Sequence, residues 1–262
     1  MPKATVNGIQ IHYEVEGSGP PVMLLVGLPG VGKGWGPQIE LFARDHLTIV
    51  PDQRGGGQSS SPDGGYSIEE HAADMAAVNH HLGCGPAHLV GSSTGGAIAQ
   101  VMALDYPDTV RTVTLMGSWA APDDFFRHQF ETRKRILQEA GMRSYIDASV
   151  LFLFSPGYFR DHYDEVRQYC DRGASGASDP GIMAKRIDMI LNFNQKHRLG
   201  QIQHPTLVLV GNQDACTPPY FSEELARLIP GAEMGVLEGG HLVYWENPEE
   251  FHSRVVRFLQ EH

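Results

Sequence analysis

The sequence predicts the α/β class: a mostly parallel sheet of about eight strands, with helices on both faces and one inserted helical segment. Two observations carry this. Short apolar runs alternate with helical stretches from Thr5 to Met116, and the pattern resumes at Pro205. Such alternation builds a mostly parallel sheet covered on both faces. Between about Trp119 and Gly200 no buried strand is found. Helical stretches rich in aromatics, among them Phe126, Phe130, Tyr145 and Phe154, take its place. Residues 1–118 and 201–262 are therefore expected to form the core, and residues 119–200 a helical cap over its site.

The elements follow in order. Thr5-Val6 and Ile11–Val15 flank Asn7-Gly8, a two-residue hairpin signal. Pro21–Val26 reads as a buried strand, Pro37 to Arg44 as a helix, and Leu47–Val50 as the next strand. Ser67 and Glu70 form a capping-box pattern that opens a helix running to Leu82. Ala87–Val90 is a short apolar strand, and Ala97–Leu104 is a helix buried on one side. Thr112–Met116, Pro205–Gly211 and Met234–Leu237 read as further strands, with a helix from Tyr220 to Leu228.

Between the strand at 87–90 and its helix lies Gly91-Ser92-Ser93-Thr94-Gly95, which is G-x-S-x-G. That spacing has a steric cause. A serine on a sharp strand-to-helix turn exposes its hydroxyl, and the residues two before and two after it crowd together, so both must be small. A nucleophilic serine needs a histidine base, and the histidine needs a carboxylate to fix its tautomer. Asp214 sits just past the strand ending at Gly211, and His241 lies in the loop Glu238-Gly239-Gly240-His241. The interval 241 − 214 = 27 residues holds one helix and one strand. Ser93, Asp214 and His241 are thus the expected triad. Asp123 and Asp124, after the strand ending at Met116, are the alternative acids. The oxyanion needs two backbone donors. Thr94 and Leu28 are expected to supply them; Pro29 has no N–H to give. Trp119 follows a strand end and is expected to face the substrate.

These residues resemble the α/β-hydrolase fold serine hydrolases over essentially the whole chain. Further landmarks are Asp52–Ser59, Tyr106-Pro107, Pro205–Val208 and Gly239-Gly240-His241. Many members carry His where this chain has Val26, so the loop's usual side-chain anchor is missing. Phe130–Leu137 and Leu151–Pro156 are similar to the aminoacrylate hydrolases of pyrimidine catabolism and, less closely, to 3-oxoadipate enol-lactonases and carbon–carbon hydrolases. The resemblance implies hydrolysis of a small ester, lactone, carbamate or amide through an acyl-enzyme, with no cofactor. Enol-lactonase and carbon–carbon hydrolase activity are alternatives, and so is a non-catalytic binding protein on the same fold. Serine at the nucleophile position argues against the epoxide hydrolases and haloalkane dehalogenases, which use Asp there.

Composition narrows the partners. Against 20 Lys+Arg stand 31 Asp+Glu, a net charge of −11. That repels nucleic acid and equally an anionic substrate, unless a cation waits in the pocket. The substrates of the resembled hydrolases carry a carboxylate, so a cap cation is expected among Arg127, Arg133, Arg186 and His197. His80-His81 are adjacent and share no helix face, and no Cys/His spacing suggests a metal. Cys84, Cys170 and Cys216 make no disulfide framework, and Met1–Thr5 lacks a signal peptide's apolar segment, so a cytoplasmic location is expected. No run is long enough to span a membrane. A homodimer is compatible with the sequence. Gly27–Lys33 also fits G-x-x-x-x-G-K, a phosphate-loop pattern, but Gly34 stands where Ser or Thr should hold magnesium.

Overall fold

Residues 2–175 and 179–262 are described by a computed structural model. Met1, and residues 176–178 of the expected cap, lie outside the described residues. Asn7 and Gly8 both take positive φ (47° and 77°), as a tight hairpin turn demands. They join β1 (Lys3–Val6) to β2 (Ile9–Glu16). The remaining strands are β3 (Pro21–Leu25), β4 (Leu47–Pro51), β5 (Ala87–Ser92), β6 (Val110–Met116), β7 (Thr206–Gly211) and β8 (Glu233–Leu237). They form one sheet of eight strands in the order β1-β2-β4-β3-β5-β6-β7-β8. β2 pairs antiparallel with β1 and β4, and every later neighbour is parallel.

The period of two assigns each strand residue to a face. Met23, Leu25, Leu89 and Val208 join one apolar cluster; Val22, Leu24, Val90, Leu207 and Leu209 join the other. On the first face lie α2 (Ile68–Leu82), α3 (Thr94–Asp105) and α8 (Pro219–Leu228). On the second lie α1 (Gln38–Ala43) and, in the C-terminal segment, α10 (Pro248–Glu261), with a short α9 (Val243–Glu246). Coverage of both faces is why β5 and β7 are buried along their whole length. Ser67 caps α2 as its pattern predicts, its Oγ accepting the Glu70 N–H at 3.1 Å.

β6 and β7 pair directly, yet α4 (Asp124–Leu153), α5 (Pro156–Asp161), α6 (Tyr163–Ser175) and α7 (Pro180–Asn192) lie between them in the chain. α4 bends at Gly141 (φ 81°, ψ 177°), a conformation only glycine adopts freely. Among the described residues, no helix is long and apolar enough to cross a membrane.

Candidate active site

All parallel strands deliver their C-terminal ends to one edge of the sheet, where open α/β sheets place ligands. Four loops meet there: those after β3, β5, β7 and β8. Ser93 caps α3 at φ 53° and ψ −117°, a region that side chains avoid. Its N–H donates to Met116 O at 2.8 Å, and its own carbonyl accepts from Gly96 and Ala97. A Cβ at Gly91 would strike the Gly95 carbonyl, and one at Gly95 would strike Leu25 O. The small-residue requirement read from the motif is thus met by backbone on both sides. Thr94 is the first residue of α3, where helix N–H groups lack intrahelical acceptors.

His241 Nδ1 lies 2.7 Å from Asp214 Oδ2, and both side chains are buried. An ionised carboxylate only accepts, so Nδ1 carries the proton and Nε2 the lone pair. Asp214 is held in turn. Its Oδ1 accepts the N–H groups of Cys216 and Thr217, each at 2.8 Å. Thr217 Oγ1 stands 3.0 Å from Oδ2 and 2.9 Å from Gly117 O. The two loops are also tied to each other. Glu238 accepts from the side-chain amides of Asn212 and Gln213, and Asn212 Oδ1 accepts Gly239 N–H. Glu246 reaches across to the inserted helices, accepting from Ser155 N, Ser155 Oγ and Gly240 N. The alternative acid Asp123 is used elsewhere: it caps α4 through Phe126 N–H and accepts the Tyr220 hydroxyl. Asp124 is exposed.

Ser93 and His241 open onto one cavity of about 290 Å³. Its floor is the loop from Val26 to Gly34. Its roof comes from α4, α6 and α7, with Phe130, Arg133, Tyr145, Ile146, Tyr169 and Met183 in the wall. Leu28 lines it beside Ser93; a Cβ on the neighbouring Gly27 would stand 3.4 Å from Ser93 Cβ.

The four expected cations part company. Arg127 donates to Leu191 O. His197 is exposed and outside the cavity wall. Arg186 is fully buried and spent on backbone carbonyls. Arg133 alone of the four lines the cavity, and it is 5% exposed. Its contacts are Ser149 Oγ, Gln129 Oε1, Cys216 Sγ and Tyr145 Oη, with the Phe130 ring 4.5 Å from its Cζ. All are neutral. Among the described residues no carboxylate pairs with it, an expensive state for a buried charge. Next to it, burial pushes the Cys216 thiol up to about 12.

One expectation is corrected. Trp119 does not line the cavity; it is fully buried against Phe126 (4.7 Å between rings) and Phe193 (6.1 Å). Its backbone does sit past the strand end, with its carbonyl accepting from Gln100 Nε2. The ring packs into the aromatic cluster, although its Nε1–H finds no hydrogen-bond partner among the described residues. The phosphate-loop pattern also dissolves: Gly32–Trp35 is one turn of 3₁₀ helix, and the largely exposed Lys33, though it lines the cavity, pairs with Glu14. Thr217 escaped the sequence reading, although Asp214-x-x-Thr217 is a capping spacing that could have found it.

Comparison with known proteins agrees with this fold. The alpha/beta hydrolase fold family matches residues 20–148 and 163–248. A protein of Azorhizobium caulinodans named "Putative carbamate hydrolase RutD" is 36% identical over 100% of this chain and 99% of its own. The enol-lactonase from Burkholderia xenovorans LB400 superposes with a TM-score of 0.91 at 26% identity, covering 99% of this chain and 100% of that one. A malate-bound thermophilic esterase from Thermogutta terrifontis gives 0.89 at 29% identity, covering 99% and 98%. The chain belongs to the α/β-hydrolase fold family and is a hydrolase of that family.

Proposed function

We propose that this hydrolase cleaves a small, carboxylate-bearing carbonyl substrate by acyl transfer through Ser93. One observation carries the reading. A serine in a strained turn opens onto the same cavity as a histidine whose far nitrogen is bound to a buried aspartate. In the first half-reaction His241 Nε2 takes the Ser93 proton as Oγ attacks the carbonyl carbon. The oxyanion is held by the N–H groups of Leu28 and Thr94. The imidazolium, stabilised by Asp214, then gives its proton to the leaving group. Water repeats the sequence on the acyl-enzyme. Helices α4–α7 act as the cap that shapes the pocket.

The carboxylate is argued from Arg133, a buried guanidinium in the cavity wall whose partners are all neutral. A substrate anion would complete its pairing through charge-assisted hydrogen bonds. The relatives support this class. One is named for carbamates, one is an enol-lactonase, and one holds malate, a dicarboxylate. A second reading, an apolar esterase pocket, rests on the lining by Leu28, Ile146, Leu153 and Met183.

A panel of small esters, lactones and carbamates, each as free acid and as methyl ester, separates the two. The free acids should lead in kcat/KM by about 10–100-fold, the worth of about one charged hydrogen bond. Arg133→Met should erase the preference. If uncharged, longer esters win in the native protein at every salt concentration, the carboxylate fails and the serine chemistry stands.

A further inference from the structure

The loop after β3 carries Leu28 past the nucleophile with no regular structure of its own between Leu25 and Gly32. The apolar side chain of Val26 gives it no hydrogen-bonded anchor. Its carbonyls are nevertheless fixed one by one. Val26 O accepts Gln53 Nε2 at 2.6 Å, Leu28 O accepts Arg186 Nε at 2.8 Å, and Gly30 O accepts the Gln53 N–H at 2.8 Å. Gly27 O accepts Gly30 N–H at 2.9 Å. The peptides are trans, so the Leu28 N–H points away from Gly27 O.

Arg186 comes from α7 and is fully buried without a carboxylate among its partners. Its remaining donors go to Arg54 O, Gln53 Oε1 and His71 Nε2. The last contact requires a neutral imidazole. Burial and the adjacent guanidinium push the His71 pKa well below its ordinary value. Its Nδ1 faces Ser67 O at 2.8 Å, leaving Nε2 to accept. Gly30 is fitted to the same guanidinium: φ is +70°, and a Cβ there would stand 2.6 Å from Arg186 Nη2.

We infer that Arg186 and Gln53 are positioning residues that hold the Leu28 N–H toward the reacting oxygen. The pair thereby couples seating of the inserted helices to formation of the oxyanion hole. This rests on the serine-hydrolase reading above. Arg186 touches one carbonyl of the loop, that of Leu28, and lies outside the cavity wall, so it acts through Leu28 and not on the substrate itself.

The test uses the full chain, p-nitrophenyl acetate as substrate and a boronate as tetrahedral-adduct inhibitor, with active sites counted by fluorophosphonate titration. Loss of one oxyanion donor costs about 10²–10³ in kcat. Arg186→Met should therefore lower kcat per titrated site by about 10²-fold with KM within about 3-fold. The boronate Ki should rise by the same factor as kcat/KM falls, which a merely structural role would not produce. Gln53→Leu should act in the same direction, and Arg186→Lys should recover part of the loss. Unchanged kcat and Ki per site in folded Arg186→Met would overturn the inference. So would a rise in KM alone, or failure of both Arg186→Met and Gln53→Leu to fold, which would make the pair structural. Turnover by Ser93→Ala would instead sink the hydrolase reading. An inactive Ser93→Ala beside a fully active Arg186→Met sinks the brace alone.

Discussion

Ser93 and Asn7 are the two described non-glycine residues with positive φ, and they do different things with it. Asn7 turns a hairpin, where asparagine tolerates the region. Ser93 has no such excuse, and its strain, on the order of 1–3 kcal/mol, is offset by the bonds that pin its backbone. Hydrogen-bond partners favour Asp214 over Asp123 as the proposed acid. Asp214 faces His241 and is fed by two backbone N–H groups, whereas Asp123 is occupied as a helix cap. Asp214→Asn should lower kcat by up to about 10⁴-fold, because an amide favours the wrong imidazole tautomer. Asp123→Asn should leave kcat nearly unchanged and cost at most about 1 kcal/mol in urea unfolding. The reverse ranking of the two variants in steady-state assays would reassign the acid. The triad candidates were legible because their spacing reflects backbone geometry. Arg186 was legible only as a cation, since its true partners are carbonyls more than a hundred residues away.

At the scale of elements, strands were the most legible part. The apolar runs of β3 to β7 end at Gly or Asp where the sheet edge needs turns, that of β8 at Glu238-Gly239, and β3 to β8 lie where those runs do. The inserted helices were less so. Helical stretches were expected over residues 119–200 without boundaries, and α4 runs from Asp124 through Leu153 with one bend at Gly141. Aromatics that pack both downward and sideways blur the helical period there. Within the sheet, β5 carries a cost tied to pH. His88 is buried with Nδ1 2.8 Å from Thr112 Oγ1, and desolvation pushes its pKa down from 6.5 to about 4. A depressed histidine stays neutral when folded and takes a proton on unfolding. Its contribution is therefore intact above pH 6.5 and is lost as pH falls toward about 4. The slope is at most about 1.4 kcal/mol per pH unit. In urea titrations between those limits, His88→Gln should lose less stability than the native chain does. Parallel curves would show that His88 bears no part of the acid sensitivity.

Across the whole molecule, two apolar clusters flank the sheet, and the one containing α2 and α3 runs on into α4 and α7. The inserted helices are thus continuous with the core and seated on it by Glu246–Ser155 and by Arg186. The net charge is −11, yet the cavity wall holds Arg133, a buried guanidinium with no carboxylate partner among the described residues, the contrast on which the proposed carboxylate preference rests. The cavity wall itself is assembled from α4, α6, α7 and the loop after β3. The fold and the candidate serine were legible because each follows from local pattern, whereas the cavity wall comes from distant segments, and Trp119 was expected to face a pocket it turns away from. The proposed chemistry depends on one hydroxyl, and it is tested most directly by treating the protein with a fluorophosphonate, mapping the adduct by peptide mass, and assaying Ser93→Ala beside it. One adduct per chain on Ser93 is expected, and turnover by the folded variant should fall to the roughly 10³–10⁴-fold residual over water that triad deletions leave. An adduct on Ser92 or elsewhere, or undiminished turnover by folded Ser93→Ala, would contradict it.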